Sequence, residues 1–209
     1  MLSIPNLITL TRILLVPVFV VAFALPGDIA RLVAFVVFCI AGASDALDGL
    51  AARKLNAGSA FGRMLDPIAD KILVAVALMM LVAEGSIHQF VLTPGLRSVL
   101  KLVPALIILS REILVSGLRE FLAGAAMSMP VTRIAKLKTA IQMVAIGAMI
   151  LEPMGDKYLP FAFGITYSAA AYIALWVAAV LTVYTGYVYF RGGLRYLHSS
   201  KTHHAGENV

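Results

Sequence analysis

The sequence predicts an all-α protein of six transmembrane helices, and three observations point there. Hydrophobic residues make up 61% of the 209-residue chain and charged residues 13%, where soluble chains carry about 25% charged residues. The mean hydropathy is +0.93, which is more apolar surface than one small globule can hide, because a small domain has little interior for its surface. The apolar residues also come in continuous runs rather than in alternation, which favours helices over a barrel. This composition excludes a soluble enzyme, a disordered chain and a secreted disulfide scaffold. The single cysteine, Cys39, cannot form an internal disulfide and reads as a small buried apolar residue.

A span needs roughly 20 residues, and six windows serve in turn. The first, 8–25, carries one charge, Arg12, and closes at Pro26-Gly27. Without a basic leader or a cleavage site it reads as a retained helix rather than a signal peptide. The second, 29–48, ends among carboxylates; the third, 65–83, begins among them and closes at Glu84-Gly85. Pro94-Gly95 precedes the fourth, 99–119, which holds Arg111 and Glu112 well inside it. The fifth, 137–151, is closed by the proline-bounded stretch 153–160. The sixth, 161–190, is long enough to overrun a bilayer or to tilt. One catalytic domain thus covers 1–198, and the polar tail 199–209 is expected to fray. Tyr158, Trp176, Tyr184, Tyr187 and Tyr189 fit interfacial belts.

The net charge of +6 could signal nucleic acid, but the cations are scattered among apolar segments rather than gathered on a polar face. The positive-inside rule accounts for them, so no nucleic-acid partner is expected. With a cytoplasmic N-terminus, thirteen of the 17 Lys and Arg fall on one side. Only Arg31, Arg97, Lys101 and Lys157 fall on the other. Both termini are therefore expected to be cytoplasmic.

Four of the eleven acidic residues crowd into one window, SDALDGLAARKLNAGSAFGRMLDPIADK. An ionisable group at membrane depth is costly and marks a functional site by default. Asp45 and Asp48 are three apart at the end of the second span, and Asp66 and Asp70 four apart at the start of the third. Each pair thus shares a helix face, and Asn56-Ala57-Gly58 can turn the chain between them. Oxygen ligands with no nearby His or Cys suit Mg²⁺ or Mn²⁺, and four carboxylates suffice for two ions acting on phosphorus. Gly49, Ala52, Gly58 and Gly62 keep the surroundings free of bulk, and Arg53, one turn after Gly49, can bind phosphate bidentately. An interfacial ion network with Arg53, Lys54, Arg63 and Lys71 would explain neither the registers nor the small residues.

These residues resemble the signature of the CDP-alcohol phosphotransferases, D-x2-D-G-x2-A-R-x8-G-x3-D-x3-D. Asp45, Asp48, Gly49, Ala52, Arg53, Gly62, Asp66 and Asp70 fill every fixed position. The resemblance implies a CDP-alcohol phosphotransferase fold: a homodimer of six-helix membrane enzymes that displace CMP from a CDP-linked lipid with two divalent cations. It implies that Asp45, Asp48 and Asp66 are metal ligands, and that Asp70 is both a ligand and the catalytic base. It also implies CDP contacts from Asp48, Gly49, Ala52, Arg53, Ser59 and Gly62.

The acceptor alcohol must be read elsewhere. The opening Ile4-Pro5-Asn6-Leu7-Ile8-Thr9-Leu10-Thr11-Arg12 resembles the phosphatidylglycerophosphate synthase branch of bacterial members. So do Arg111-Glu112-Ile113, Leu118-Arg119-Glu120, and Lys136-Leu137-Lys138-Thr139 with Gln142. This resemblance implies CDP-diacylglycerol and sn-glycerol 3-phosphate as substrates, membrane lipids as surroundings, and the bacterial inner membrane as location. Charge agrees: Arg111 lies about 18 Å along its helix from Val99, where a cation should face a wet cavity. Arg111, Arg119, Lys136 and Lys138 are thus expected to bind the acceptor phosphate, unless they are ordinary positive-inside anchors. Asn6 and Thr9, with Arg12, are expected to contact nucleotide or phosphate, or else to cap the first helix and anchor it. Inositol phosphate, serine or phosphatidylglycerol are alternative acceptors. An ion transporter, the rival from another class, would show inverted repeats, which the sequence lacks.

Overall fold

The structure, a computed structural model, describes the backbone of residues 4–55, 60–87, 96–124, 133–159 and 166–205. Within these it describes the side chains of 9–44, 68–69, 71–84, 99–124, 134–159 and 166–193. Seven helices account for nearly all of them: α1 (Ile4–Ala24), α2 (Asp28–Leu55), α3 (Ala60–Ile87), α4 (Leu96–Gly124), α5 (Arg133–Ile150), α6 (Glu152–Tyr158) and α7 (Tyr167–Ala205). No strand occurs among the described residues, so the all-α expectation is met.

Helix ends depart from the apolar windows. The second window stops at its carboxylates, yet α2 runs on to Leu55; the third starts at Leu65, yet α3 begins at Ala60. Charge is costly to a bilayer but not to a helix, so hydropathy undershoots the backbone. Glu84-Gly85 does not break α3, and the tail expected to fray is helical to Ala205. Pro26-Gly27 does turn the chain, with Gly27 at φ +105°, a region that residues bearing a Cβ rarely enter. Asn56–Gly58 and His88 lie outside the described residues. So does the Pro94-Gly95 break.

After α5 the chain bends by 69° into α6. Pro153 stands in the first turn of α6, where its missing N–H leaves no intrahelical bond unmade. Gly155 then meets the ring of Tyr167 so closely that a Cβ would overlap it. Gly155→Ala is expected to cost about 1–3 kcal/mol by overpacking, measurable in an unfolding titration followed by the fluorescence of Trp176, the sole tryptophan.

Three polar links gather one end of the bundle. Arg31 of α2 pairs with Glu84 of α3, Lys101 of α4 with Glu152 of α6 at 3.2 Å, and Lys157 with Asp28 at 2.6 Å. Asp28 also accepts from the Tyr158 hydroxyl. These two donors hold its carboxyl below the usual range, and Lys157 is raised in turn. The contact is therefore complete between pH 3.8 and 10.5, the ordinary values for Asp28 and Lys157, and is lost as acid titrates through the lowered carboxyl value or base through the raised ammonium one. Arg31, Lys101 and Lys157 are three of the four cations that the charge count assigned to one side. The helices they join alternate in direction, so the end of α2 and the start of α3 share the opposite end.

The core runs through Phe19, Phe38, Leu78, Ile108, Ile146 and Leu175. The outer faces are apolar as well: Leu14, Ile29, Leu114, Val144 and Val180 are all exposed, while Arg12, Lys101, Lys138, Gln142 and Thr182 are buried. Among the described residues one helix, Tyr167–Gly193, is by itself long and apolar enough to cross a membrane. Ile134–Ile150 and Glu152–Tyr158 qualify as a bent pair.

Candidate active site

Helical period decides where the aspartates stand. The buried residues of α2 are Ala34, Phe38 and Ala41, and Asp45 and Asp48 continue that spacing down the same helix. On α3 the buried Leu73, Ala77 and Leu81 extend backwards in register to Asp70 and Asp66. The four positions thus prolong two core-facing stripes. Levels match too: Asp48 and Asp66 each lie about 10 Å from the interhelical break at 1.5 Å per residue, and Asp45 and Asp70 about 15 Å. Gly49, Ala52 and Arg53 lie on the last turns of α2 and Gly62 on the first turn of α3; Ser59 lies outside the described residues. The side chains of the four aspartates are not among those described, and no cluster of three His, Cys, Asp or Glu occurs among those that are.

The third contributor at this end is α1. Its buried stripe is Thr9, Arg12, Val16, Phe19 and Phe23. Thr9 and Asp45 are equidistant from Gly27 along their helices, which places Thr9 and Arg12 at the level of the aspartates. Arg12 is 1% exposed, so its side chain turns into the bundle rather than outward. Asn6 lies on the first turn of α1, its side chain outside those described.

The second polar cluster lies between α4, α5 and α7. Arg111 donates to Glu112 at 3.2 Å and to Thr185 Oγ1 at 3.1 Å, while Lys138 pairs with the same Glu112 oxygen. The side chains are 12%, 16% and 3% exposed for Arg111, Glu112 and Lys138. Two cations therefore flank one carboxylate in a mostly apolar interior, where a charged side chain is held only with partners. Lys101 and its Glu152 mark the far end of α4; Arg111 is about 15 Å nearer the aspartate end.

Arg119 and Lys136, expected in this cluster, are exposed, and helical geometry says why. Eight residues past Arg111 bring Arg119 about 80° around the helix, and two residues separate Lys136 from Lys138 by about 200°. Only one lysine of that pair can face the core. In their place the fold supplies Thr185 and Tyr189 from α7, with the guanidinium carbon of Arg111 5.7 Å from the centre of the Tyr189 ring. Tyr189 is 5% exposed, so it belongs to the interior and not to an aromatic belt. Nothing in the apolar sequence of α7 marks these residues; their contact with Arg111 spans 74 residues.

An open apolar cavity of about 510 Å³ lies between α2 and α5, lined by Phe35, Phe38, Cys39, Gly42, Met143 and Gly147 among others. Cys39 is exposed on it, not buried as its composition suggests, because its helix neighbour Phe38 takes the inward position. Gly42 is one turn before Asp45, so the cavity leads to the aspartate-bearing end of α2.

Comparison with known proteins fits this arrangement. The model of the CDP-alcohol phosphatidyltransferase family matches residues 2–184. The chain belongs to that family. It is 40% identical over 195 residues to a Rickettsia felis protein named CDP-diacylglycerol–glycerol-3-phosphate 3-phosphatidyltransferase, covering 93% of this chain and 97% of that one. A Bacillus subtilis protein of the same name is 37% identical over 91% and 94% of the two chains. A Salmonella typhimurium one is 40% identical over 83% and 90%. Within this phosphatidyltransferase the match takes in the aspartate-bearing helices, Arg111 and Lys138, and stops one residue short of Thr185.

Proposed function

We propose that this chain is a membrane enzyme that transfers the phosphatidyl group of CDP-diacylglycerol to sn-glycerol 3-phosphate and releases CMP. The part-buried Arg111–Glu112–Lys138 cluster carries the choice of acceptor. Its guanidinium and ammonium donors, on the aspartate-bearing half of the bundle, complement a phosphate dianion. The names of the relatives support the same acceptor.

Asp45, Asp48 and Asp66, with Asp70, would hold two divalent cations, Mg²⁺ or Mn²⁺. The donor chemistry fits, since all the candidate ligands are carboxylates on two facing helix ends. When bound, the ions supply neutralisation of the diphosphate and of the departing CMP phosphate. Arg53, Gly49, Ala52, Gly62 and Ser59 bind the CDP moiety, with Asn6 and Thr9 as further nucleotide contacts. Asp70 accepts the proton of the glycerol 1-hydroxyl as its oxygen bonds to the lipid-side phosphorus. The phosphorus–oxygen bond to CMP breaks and CMP leaves with those electrons. Arg111 and Lys138 hold the acceptor phosphate, and Arg119 and Lys136 act at its entrance. An acyl chain occupies the cavity between α2 and α5, whose volume lies within the roughly 300–1,000 Å³ of ligand sites.

The apolar outer faces carry the membrane reading: six long helices span the bacterial inner membrane, both termini cytoplasmic, in a homodimer. The test is CMP release by purified protein with CDP-diacylglycerol, Mg²⁺ and each alcohol separately. CMP with glycerol 3-phosphate alone supports the proposal, and CMP only with another alcohol overturns the acceptor. Chelation of divalent ions is expected to abolish release, and Mg²⁺ or Mn²⁺ to restore it; turnover that survives chelation would refute the metal assignment.

A further inference from the structure

Helix α7 sets three neighbouring positions against Arg111, namely Thr185, Gly186 and Tyr189, all beyond the residues that the family model matches. Thr185 Oγ1 lies 2.9 Å from the Leu181 carbonyl and 3.1 Å from the Thr182 carbonyl. Its single hydroxyl proton is therefore spent on its own helix. The oxygen then faces Arg111 as a pure acceptor, 3.1 Å from Nη2. One residue on, Gly186 leaves a gap in the α7 surface that the Arg111 stem fills. A Cβ there would sit 2.9 Å from Arg111 Cγ and 3.6 Å from Nε. Tyr189, one turn beyond Thr185, turns its ring toward the guanidinium.

A guanidinium carries five N–H donors, and here Nη1 spends one on Glu112 and Nη2 one on Thr185. Arg111 Nε is buried and has no hydrogen-bond partner. The group is therefore fixed from α4 and α7, with donors to spare. A long, flexible side chain held in this way meets an oxyanion without first having to be ordered.

We infer that Thr185, Gly186 and Tyr189 form a cradle that positions Arg111 for the acceptor phosphate, and so set the affinity for the acceptor without touching it. This rests on the proposed role of Arg111 above. Thr185 and Gly186 are positioning residues: they act through Arg111. Loss of the Thr185 acceptor, or a methyl group under the Arg111 stem, should weaken acceptor binding and leave use of the lipid substrate alone.

The experiment measures CMP release by the full chain in detergent, with KM determined separately for glycerol 3-phosphate and for CDP-diacylglycerol. The variants are Thr185→Val, Thr185→Ser, Gly186→Ala and Arg111→Lys, each checked for native elution on size exclusion. Thr185→Val and Gly186→Ala are expected to raise KM for glycerol 3-phosphate roughly tenfold, as loss of a hydrogen bond to a charged group does. KM for CDP-diacylglycerol and kcat should stay within about threefold, and Thr185→Ser should restore the wild-type value. An unchanged KM for glycerol 3-phosphate in both variants, with Arg111→Lys raising it, would overturn the cradle and leave the role of Arg111 standing. An unchanged KM in Arg111→Lys would overturn that role and the cradle with it. A uniform loss with both substrates that Thr185→Ser does not rescue would make the contact merely structural and refute the inference.

Discussion

Asp70→Asn is expected to lower CMP release by about 10²–10⁴-fold, the usual contribution of a positioned general base. Asparagine keeps the shape of the side chain but cannot accept the hydroxyl proton. The position continues the core stripe of Leu73, Ala77 and Leu81 on α3, so a substitution of equal volume should leave the fold intact. Two measurements separate the base from the metal ligand. If Asp70 acts chiefly as a base, the defect falls on kcat, and raising the Mg²⁺ concentration does not rescue it. If ligation dominates, excess Mg²⁺ recovers much of the rate. Near-wild-type turnover from correctly folded Asp70→Asn would remove both roles.

The second large effect is on stability. Glu112→Gln removes the carboxylate that both Arg111 and Lys138 contact. The two cations would then face one another in the interior, one 12% and the other 3% exposed. Breaking a buried ion pair from one side costs about 3–5 kcal/mol, because the remaining charge keeps its desolvation penalty without its partner. The double variant Glu112→Gln/Lys138→Met should be more stable than Glu112→Gln alone, since the second change removes a buried charge that has lost its Glu112 contact. Unfolding titrations followed by Trp176 fluorescence would show this as a coupling between the two sites. Additive losses would mean that Lys138 and Glu112 do not interact.

The aspartate motif was the most legible part of the molecule. Its spacings, three on α2 and four on α3, are helical spacings, and the helices that form carry them in register with Ala34, Phe38 and Ala41 on one and Leu73, Ala77 and Leu81 on the other. A pattern whose information lies within one helix survives folding, because 3.6 residues per turn holds wherever the helix sits. The same periodicity, applied to the basic residues, would have separated Lys138 from Lys136 and set Arg119 off the Arg111 stripe. Charge alone groups four cations in one site; the fold turns Arg111 and Lys138 inward and leaves Arg119 and Lys136 exposed.

Other features were readable only after folding. Cys39 and Phe38 are adjacent apolar residues on α2, and composition ranks both as buried. Packing against α1 takes Phe38 inward, 6.1 Å from the Phe19 ring centre, and leaves Cys39 exposed on the cavity. Helix ends differ for a similar reason: Glu84-Gly85 predicts a break, yet α3 runs on to Ile87 and Glu84 is held by Arg31 of a neighbouring helix.

By itself, then, the sequence determined the all-helical class, the helical spacing of the aspartates and the family they signal. These follow from local chemistry and helix period, which need no partner to be defined. The tertiary structure decided which cations turn inward, and that Thr185, Gly186 and Tyr189 of an otherwise apolar helix close around Arg111. Those outcomes depend on which face of one helix meets which face of another, a relation set between residues 74 apart. No window along the chain contains both partners of such a contact.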